Sequence, residues 1–533
     1  MRANRLLSLA ALAFLCISAW AYPGKVVKAI KAPCGFATGL AFDGKHLWMA
    51  DHRQDRLVCL NPSNGSVIRE VPSPGFWPAG LAWDGRYLWN VDAHQKKIFK
   101  VDPEDGHILS TIDAPGGSPE ALAWDGTTLW VSDLGEKSLM RIDLSDGTAL
   151  QTFPIPAQSA QGLAFDGTYL WCADRMTDEL YMMDPRSAEV IMVLKAPGPY
   201  PRGLAFDGEY LWNVDYQKDS LYQLVRQDEE YHRIESTKTY RMTFSHEAKV
   251  IGKGQLRELE VSIAKPVSLL QQEILRVAFT PAPERTVSDR WHQECARFLY
   301  RDKPAGSTLA SVMVVDARVS ALHHYIFPER CGTLADIPAD VRNAYVVDDS
   351  KYQIHDPFIQ EMVKRVVGDE KNPYWIARRI FDSVRTRLEY KLEGGWNIAP
   401  VVLKRGTGSC SEYSFSFIAL CRAAGLPARY VGSVVVRGDD ASSDEVFHRW
   451  PEVYLPSYGW VPIDPQGGDK PLPRDRAMNI GHLPNRFLIT THSGGGSEYL
   501  GWFYNSNERY ETDPQVRVEI EAFGEWEPLE EVK

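Results

Sequence analysis

Three residues in the last third of the sequence, Cys410, His448 and Asp464, have side chains that could act together in nucleophilic catalysis. A cysteine thiolate is a strong nucleophile, and a histidine exchanges protons near neutral pH. A carboxylate beside the imidazole can fix its tautomer and orientation, which leaves the other ring nitrogen to face the nucleophile. Since the three residues lie far apart in sequence, this chemistry depends on the elements that hold them.

Cys410 is predicted to begin a helix. Ser409 is a suitable N-cap, apolar residues then recur at helical spacing, and Gly425 ends the pattern. The unpaired N–H groups and the dipole at a helix N-terminus favour a thiolate over a thiol. Cys421, nearly in phase on the same helix, is expected to be a buried core thiol.

His448 and Asp464 are predicted to lie on the two strands of a hairpin. The segment that begins at Phe447 and the segment that ends at Pro465 flank the turn residues 456–459. Counting back from the turn places His448 and Asp464 at about the same height, within a few residues of register.

The sequence motifs around these residues resemble the signature of the transglutaminase-like superfamily, whose members are papain-like thiol enzymes with a Cys-His-Asp triad. The matching motifs are Gly408-x-Cys410, the RAAGLPAR run from Arg422 to Arg429, His448-x-Trp450-x-Glu452-Val453, and Gly459-Trp460-Val461-Pro462-x-Asp464-Pro465. The resemblance covers roughly residues 346 to 500. It implies an α+β papain/transglutaminase-like catalytic domain, assigned to residues 346–533, with Cys410, His448 and Asp464 as the triad. No cofactor and no metal are predicted.

Two details of this domain stay open in the sequence. Trp396 and Asn397 are candidate oxyanion donors beside the backbone N–H of Cys410, although Trp396 could equally cover the helix. Arg449 occupies a position where the family commonly has a small residue, and it is expected to narrow or charge the rim of the cleft.

The first half of the sequence is an internal repeat. The string GLAFDGKHLWMAD, which begins at Gly39, returns in four further copies with a constant period of 41 residues. Each period contains four predicted strands, and its Asp-Gly pair is typical of a tight hairpin turn. Four strands in about 40 residues is the blade of a β-propeller. The recurring Trp and Asp residues are interpreted as packing and turn residues.

A five-bladed propeller is therefore predicted for residues 22–235. The fifth copy ends after its third strand, and the orphan strand Val26 to Ile30 is expected to complete it, so that no sheet edge stays open. The repeat resembles those of the NHL, streptogramin-lyase and glutaminyl-cyclotransferase propellers, without any catalytic residue that can be transferred.

Residues 237–345 are predicted to form a β-sandwich accessory domain from five alternating strands. His323 and His324 within it are expected to face opposite sides of a strand and not to bind a metal. Cys295 and Cys331 are the expected disulfide among the seven cysteines that follow the leader. The first helical patterns place a domain boundary near residue 345.

Residues 1–21 are predicted to be a signal peptide. Arg2 and Arg5 precede an apolar run, and Ala19-Trp20-Ala21 predicts cleavage after Ala21. The protein is therefore expected to be secreted or periplasmic, with no integral membrane segment after leader removal. Its net charge of -11, from 59 Lys+Arg and 70 Asp+Glu, disfavours nucleic-acid binding.

The sequence favours an exported cysteine hydrolase that cleaves peptide or amide bonds through a thioester at Cys410, with the propeller docking a protein or peptide substrate. Three alternatives stay open. They are protein cross-linking by glutamine γ-glutamyl transfer, a catalytically inactive binding scaffold, and cyclotransferase chemistry in the propeller.

Overall fold

The computed structural model describes residues 22–392, 396–438 and 441–529, and these residues are mostly in β-strands. The predicted signal peptide, residues 1–21, lies outside the described residues. In the described part of the chain, no helix is long and apolar enough to cross a membrane.

Residues 26–225 form five four-stranded antiparallel sheets, numbered here 1 to 5 in chain order. Sheets 1 to 3 consist of Ala37–Phe42, Leu47–Asp51, Arg56–Leu60 and Val67–Pro72; Pro78–Trp83, Leu88–Asp92, Lys97–Val101 and Ile108–Asp113; and Pro119–Trp124, Leu129–Asp133, Ser138–Ile142 and Ala149–Pro154. Sheets 4 and 5 consist of Ala160–Phe165, Leu170–Asp174, Glu179–Met183 and Val190–Lys195; and Pro201–Phe206, Tyr210–Asp215, Ser220–Val225 and Val26–Lys31. The pairing of the orphan strand Val26–Lys31 with Ser220–Val225 confirms the prediction that it completes the fifth repeat.

The repeated residues build each sheet in the same way. In sheet 1, Gly44 has a φ of 93° in the first hairpin turn, and the indole N–H of Trp48 donates to Asp43 Oδ2 at 2.9 Å. Equivalent Trp–Asp hydrogen bonds recur in the other four sheets. The interpretation of these residues as turn and packing residues is confirmed.

The first strands of the five sheets follow one another in a closed order. A Cβ on Gly39 would lie 2.2 Å from Ala79 O of sheet 2, and glycines 80, 162 and 203 approach sheets 3, 5 and 1 as closely. Ser132 Oγ donates to Ala160 O at 2.8 Å and joins sheets 3 and 4. Glycine is required at these positions because neighbouring backbones meet without room for a side chain.

Two further sheets share one apolar core. One has the strand order Gln272–Thr280, Thr308–His324, His232–Gly252, Val516–Pro528 and Ser442–Asp444, with His482–Leu483 beside Thr308–His324; the other has the order Arg285–Ser288, Glu294–Pro304, Gln255–Ala264 and Ser506–Thr512. The C-terminal strands thus pair with the segment after the repeats, which the division at residue 345 did not anticipate. The strand Thr308–His324 is continuous over 17 residues.

The remaining elements surround the predicted triad. The helices are α1 Ala339–Tyr345, α2 Pro357–Val367, α3 Pro373–Arg387, α4 Ala399–Arg405, α5 Cys410–Ala423 and α6 Pro473–Ala477, with 3-10 turns at Pro328–Cys331 and Leu334–Asp336. A four-stranded sheet has the order Gly459–Pro462, His448–Leu455, Ala428–Val435 and Phe487–Ser493, and Glu389–Tyr390 pairs with Thr407–Gly408. Helix α5 contacts α2, α3 and α4 as well as strand His448–Leu455 and is the centre of this unit.

The expected disulfide between Cys295 and Cys331 is wrong. Both residues are free, buried thiols. Cys295 packs with Ala264 and Leu500, whereas Cys331 belongs to the core around α3 and α5. The two thiols therefore lie in different cores.

Candidate active site

Cys410 is the first residue of α5, as the sequence predicts. The side chains of residues 410–422 are all buried, so α5 is covered on every side and not only on the one apolar face that the spacing indicates. The helix start is fixed by Glu412, a fully buried carboxylate. It accepts hydrogen bonds from Ser409 N at 3.2 Å, Asn397 N at 2.9 Å and Arg405 Nη2 at 2.8 Å.

His448 begins the strand that packs on α5. That strand pairs with Gly459–Pro462 in the predicted hairpin, and Asp464 follows two residues after the second strand ends. His448 Nε2 lies 2.7 Å from Asp464 Oδ2. The backbone N–H groups of Gln466 and Gly467 donate to Asp464 Oδ1 at 3.0 and 2.9 Å, so both carboxylate oxygens are held in place.

The side chains of Cys410 and His448 are hydrogen-bonded to each other. Because Asp464 occupies Nε2 of the imidazole, Nδ1 is the nitrogen left for the thiol. The structure therefore brings all three sequence-predicted residues together, in the order sulfur, imidazole and carboxylate.

The electrostatic surroundings favour a charged pair. Burial raises the pKa of the Cys410 thiol, but the hydrogen bond and charge of His448, helped by Arg449, outweigh burial and hold that pKa below its usual value. Burial lowers the pKa of His448, and Asp464 and Cys410 outweigh it and raise that pKa to about 10. A thiolate facing an imidazolium is the protonation state that these shifts favour.

Arg449 is fully buried, so the expectation that it lines the cleft rim is wrong. Its backbone N–H donates to the Cys410 sulfur, and one guanidinium nitrogen donates to Trp502 O. The guanidinium carbon lies 4.3 to 5.2 Å from the centres of four aromatic rings, those of Trp396, Phe415, Tyr430 and Tyr504. Among the described residues, no carboxylate forms an ion pair with it. The arginine is buried because aromatic faces attract a weakly hydrated guanidinium.

The two oxyanion candidates are held by contacts of their own. Trp396 has a φ of 49°, and its ring packs 4.6 Å from that of Phe503. Asn397 directs its backbone and side-chain amides to Glu412, with Nδ2 3.4 Å from Oε1. Both residues thus position the segment before Cys410 against α5. The Ser-x-x-Glu spelling at 409–412 is the sequence signal that could have identified Glu412.

A cleft of about 310 Å³ opens on the His448–Asp464 side of the triad. Apart from those two residues, its walls are mainly apolar and include Trp450, Met478, Leu483 and Phe487. The His448 side chain is 15% exposed. Solvent therefore reaches the imidazole from this side.

Among the described residues, one group of possible metal ligands lies close enough to share an ion, namely Asp43, His46 and Cys59. The Asp43 oxygens already accept hydrogen bonds from the backbone N–H of His46 and from the Trp48 indole. Burial raises the pKa of Cys59 to about 11, which keeps the thiol protonated. These contacts are those of a hairpin turn and not those of a metal site. The imidazole of His323, on strand Thr308–His324, pairs with that of His482, on strand His482–Leu483, and their Nδ1 atoms are 2.8 Å apart.

Comparison with known proteins agrees with the motif reading. Residues 360–465 match the family model of the transglutaminase-like superfamily. The uncharacterized protein YebA of Bacillus subtilis is 35% identical over 71 residues, which are 11% of this chain and 10% of that protein. An uncharacterized protein of Haemophilus influenzae is 29% identical over 156 residues, 24% of this chain and 42% of that protein. The chain thus matches less than half the length of either curated relative.

One solved structure that the comparison matches is that of a Cytophaga hutchinsonii protein provisionally described as a cysteine protease. It is 14% identical, with a TM-score of 0.39, and the match covers 56% of this chain and all of that one. At this level of similarity the site must be interpreted from its own geometry.

Proposed function

We propose that this protein, whose residues 360–465 form a transglutaminase-like domain, is an exported cysteine hydrolase that cleaves peptide or amide bonds. The observation that supports the proposal most directly is the contiguous hydrogen-bonded series Cys410–His448–Asp464, with 2.7 Å between His448 Nε2 and Asp464 Oδ2. A cleft lined by His448 and Asp464 lies beside the triad, and Cys410 itself is 7% exposed.

In the first half-reaction the Cys410 thiolate attacks the carbonyl carbon. A C–S bond forms, and the carbonyl π electrons move to oxygen. The backbone N–H of Cys410, at the helix N-terminus, donates to this oxyanion. Trp396 is a candidate further donor, and Asn397 is one only if its side-chain amide leaves Glu412. Collapse of the intermediate breaks the C–N bond, and the His448 imidazolium protonates the departing amine.

In the second half-reaction water attacks the thioester carbonyl. His448, now neutral, accepts a proton from the water, and the acid product leaves as the C–S bond breaks. Asp464 holds the imidazole and stabilises its charged form without exchanging a proton itself. An amine in place of water would give the cross-linked product, since the first half-reaction is common to both outcomes.

The finer architecture belongs to the same proposal. We infer that sheets 1 to 5 are the blades of a five-bladed propeller over residues 22–235, which docks the protein or peptide substrate. Residues 237–345, together with the C-terminal strands that pair with them, serve as an accessory β-domain, and the leader directs export to the periplasm or the medium. N-terminal sequencing of the mature protein should begin at Tyr22.

The test is cleavage of a peptide library by purified protein, read by mass spectrometry. Wild type and Cys421→Ala, which removes a buried thiol on the same helix, should release new termini, whereas Cys410→Ala should release none. Equal cleavage by Cys410→Ala would exclude this site. Incorporation of a primary amine such as cadaverine into casein in place of cleavage would favour the cross-linking alternative.

A further inference from the structure

At the end of the five-sheet ring where the first strand of each sheet begins, the residue types at equivalent positions differ from sheet to sheet. Within the 41-residue period, the Asp at positions 51, 92, 133, 174 and 215 is invariant, but the residues beside it change. One such position holds Phe36, Trp77, Ser118, Ser159 and Tyr200, and another holds His52, Ala93, Leu134, Arg175 and Tyr216. Aromatic rings therefore collect on sheets 5, 1 and 2 and small or aliphatic side chains mainly on sheets 3 and 4.

The aromatic residues form one continuous surface, named here the aromatic mouth and consisting of Phe36, His52, Trp77, Tyr200 and Tyr216. Ring centres are separated by 4.6 Å between His52 and Trp77, 5.9 Å between His52 and Tyr216, and 5.1 Å between Tyr200 and Tyr216. None of the five is fully buried, and Trp77 is 43% exposed. Packing does not require five aromatic rings at a partly exposed place.

A polar cluster lies at the axis beside these rings. Arg202 of sheet 5 pairs with Glu120 of sheet 3 at 2.8 Å, and since sheet 4 stands between those sheets, the pair must cross the axis. Gln161 occupies the equivalent position of sheet 4. The guanidinium of Arg202 lies 5.5 Å from the centre of the Tyr216 ring, which joins the cluster to the aromatic mouth.

The cluster has unused hydrogen-bonding capacity. Gln161 is 7% exposed and Arg202 6% exposed, yet within the part of the chain that the structure describes Gln161 Oε1 and Arg202 Nε have no hydrogen-bond partner. A buried donor and a buried acceptor left unpaired cost free energy that a ligand could recover. The ligand must both donate and accept, as hydroxyl groups do.

The backbone N–H groups around the aromatic mouth already donate hydrogen bonds within the protein. The N–H groups of residues 77, 118, 159 and 200 donate to the invariant Asp carboxylates at 2.7 to 2.8 Å, and that of Phe36 donates to Asp219. An extended peptide binds mainly through backbone hydrogen bonds to such groups. Recognition here is left to side chains. The Glu120–Arg202 pair adds no net charge, and the guanidinium groups of Arg53 and Arg175 lie 4.5 and 4.7 Å from the centres of the Phe36 and Tyr200 rings.

We propose that the aromatic mouth binds a neutral carbohydrate, with sugar C–H faces against the rings of Trp77 and Tyr216 and hydroxyl groups paired with Glu120, Gln161 and Arg202. The net charge of the whole chain disfavours an anionic polymer, but Arg53 and Arg175 lie against the rings of Phe36 and Tyr200, so an anionic oligosaccharide is included in the test. The proposal is independent of catalysis, because no residue of the mouth belongs to the Cys410 site. It concerns only this end of the ring, so the proposed protein or peptide substrate would dock on another surface of the five sheets.

Calorimetric titration of full-length Cys410→Ala protein tests this site without turnover. The probes are cellotetraose, maltotetraose and N-acetylchitotetraose, with oligogalacturonate and tetra-alanine as the charged and peptide controls. At least one neutral oligosaccharide should bind and both controls should not. Binding by none of the three sugars, or by tetra-alanine instead, overturns the proposal.

Two tryptophans of sheet 2 provide matched variants. Trp77 precedes the strand Pro78–Trp83 at the aromatic mouth, and Trp83 ends it at the opposite end of the ring. Trp77→Ala should weaken sugar binding at least about tenfold through lost stacking, whereas Trp83→Ala should leave it unchanged. Tyr216→Ala gives a second variant of the mouth, and thermal melts confirm that each variant is folded. Equal binding by wild type, Trp77→Ala and Tyr216→Ala would place the sugar elsewhere and contradict the proposal.

Discussion

The Cys410 thiol is buried, yet its pKa lies below the usual value because His448 and Arg449 outweigh the cost of burying a thiolate. The pKa of His448 is raised to about 10 in return. The thiolate–imidazolium pair therefore exists between the two values. Activity should rise as the pH climbs through the lowered pKa of Cys410 and fall as it passes about 10, where the imidazolium loses its proton. A kcat/KM profile measures both limbs, and a rate that only increases with pH would contradict the pair.

Arg449 places a buried cation beside the sulfur without a carboxylate partner among the described residues. Replacing it by Met should raise the thiol pKa of Cys410 and lower kcat, whereas Arg449→Lys should restore part of the shift. The measurement is the pH dependence of Cys410 alkylation.

Arg422→Met is the matched control for this prediction. Arg422 is equally buried and stacks 4.6 Å from the Tyr352 ring, but it bonds to the backbone carbonyls of Ala428 and Val347. Its loss should reduce stability and leave the thiol pKa unchanged. Equal thiol pKa values in Arg449→Met and wild type would show that Arg449 is merely structural.

At the scale of elements, Glu412 joins the segment before Cys410 to the first turn of α5. Glu412→Ala leaves the buried N–H of Ser409 and the partly buried N–H of Asn397 without this partner and should cost about 2 kcal/mol of unfolding free energy. It should also slow Cys410 alkylation, because the helix start would no longer be fixed. Glu361→Ala, on the exposed face of α2, is the control and should change neither quantity. Equilibrium unfolding in urea measures the change in unfolding free energy.

The sequence could predict those elements that are set by local pattern. Capping signals predict the start of α5, turn signals predict the hairpin that contains His448, and periodicity predicts the four-stranded repeats. The three triad residues can be predicted from the sequence motifs around them. It could not predict that strand Val516–Pro528 pairs with residues 240–252, because no local signal specifies a partner so distant in sequence. The burial of Arg449 was missed for the same reason, since its aromatic neighbours come from separate segments.

At the scale of the whole molecule, Glu189 of sheet 4 connects the repeats to the unit that contains the triad. Its carboxylate bonds to Arg378 of α3 at 2.6 Å and to Arg476 of α6 at 3.1 Å. Both arginines are buried. Glu189→Ala leaves two buried cations without this partner and should cost about 3 kcal/mol. Differential scanning calorimetry should show a lower Tm.

The control for this interface is Glu273→Ala. Glu273 pairs with Arg318 at 2.9 Å, but both side chains are about half exposed, so solvent screens the pair and its loss should cost little. If the two variants melted at the same temperature, Glu189 would not hold the two units together.

The central claim, that His448 holds Cys410 as a thiolate, is tested most directly by the rate of iodoacetamide alkylation at Cys410 across the pH range. The variants are His448→Ala and the control His492→Ala, whose side chain is similarly shielded and pairs with Glu452. Wild type and His492→Ala should react at neutral pH, and His448→Ala should react at least about tenfold more slowly, because the largest contribution that opposes burial is then lost and Arg449 alone does not replace it. Equal rates at neutral pH in wild type and His448→Ala would contradict the account.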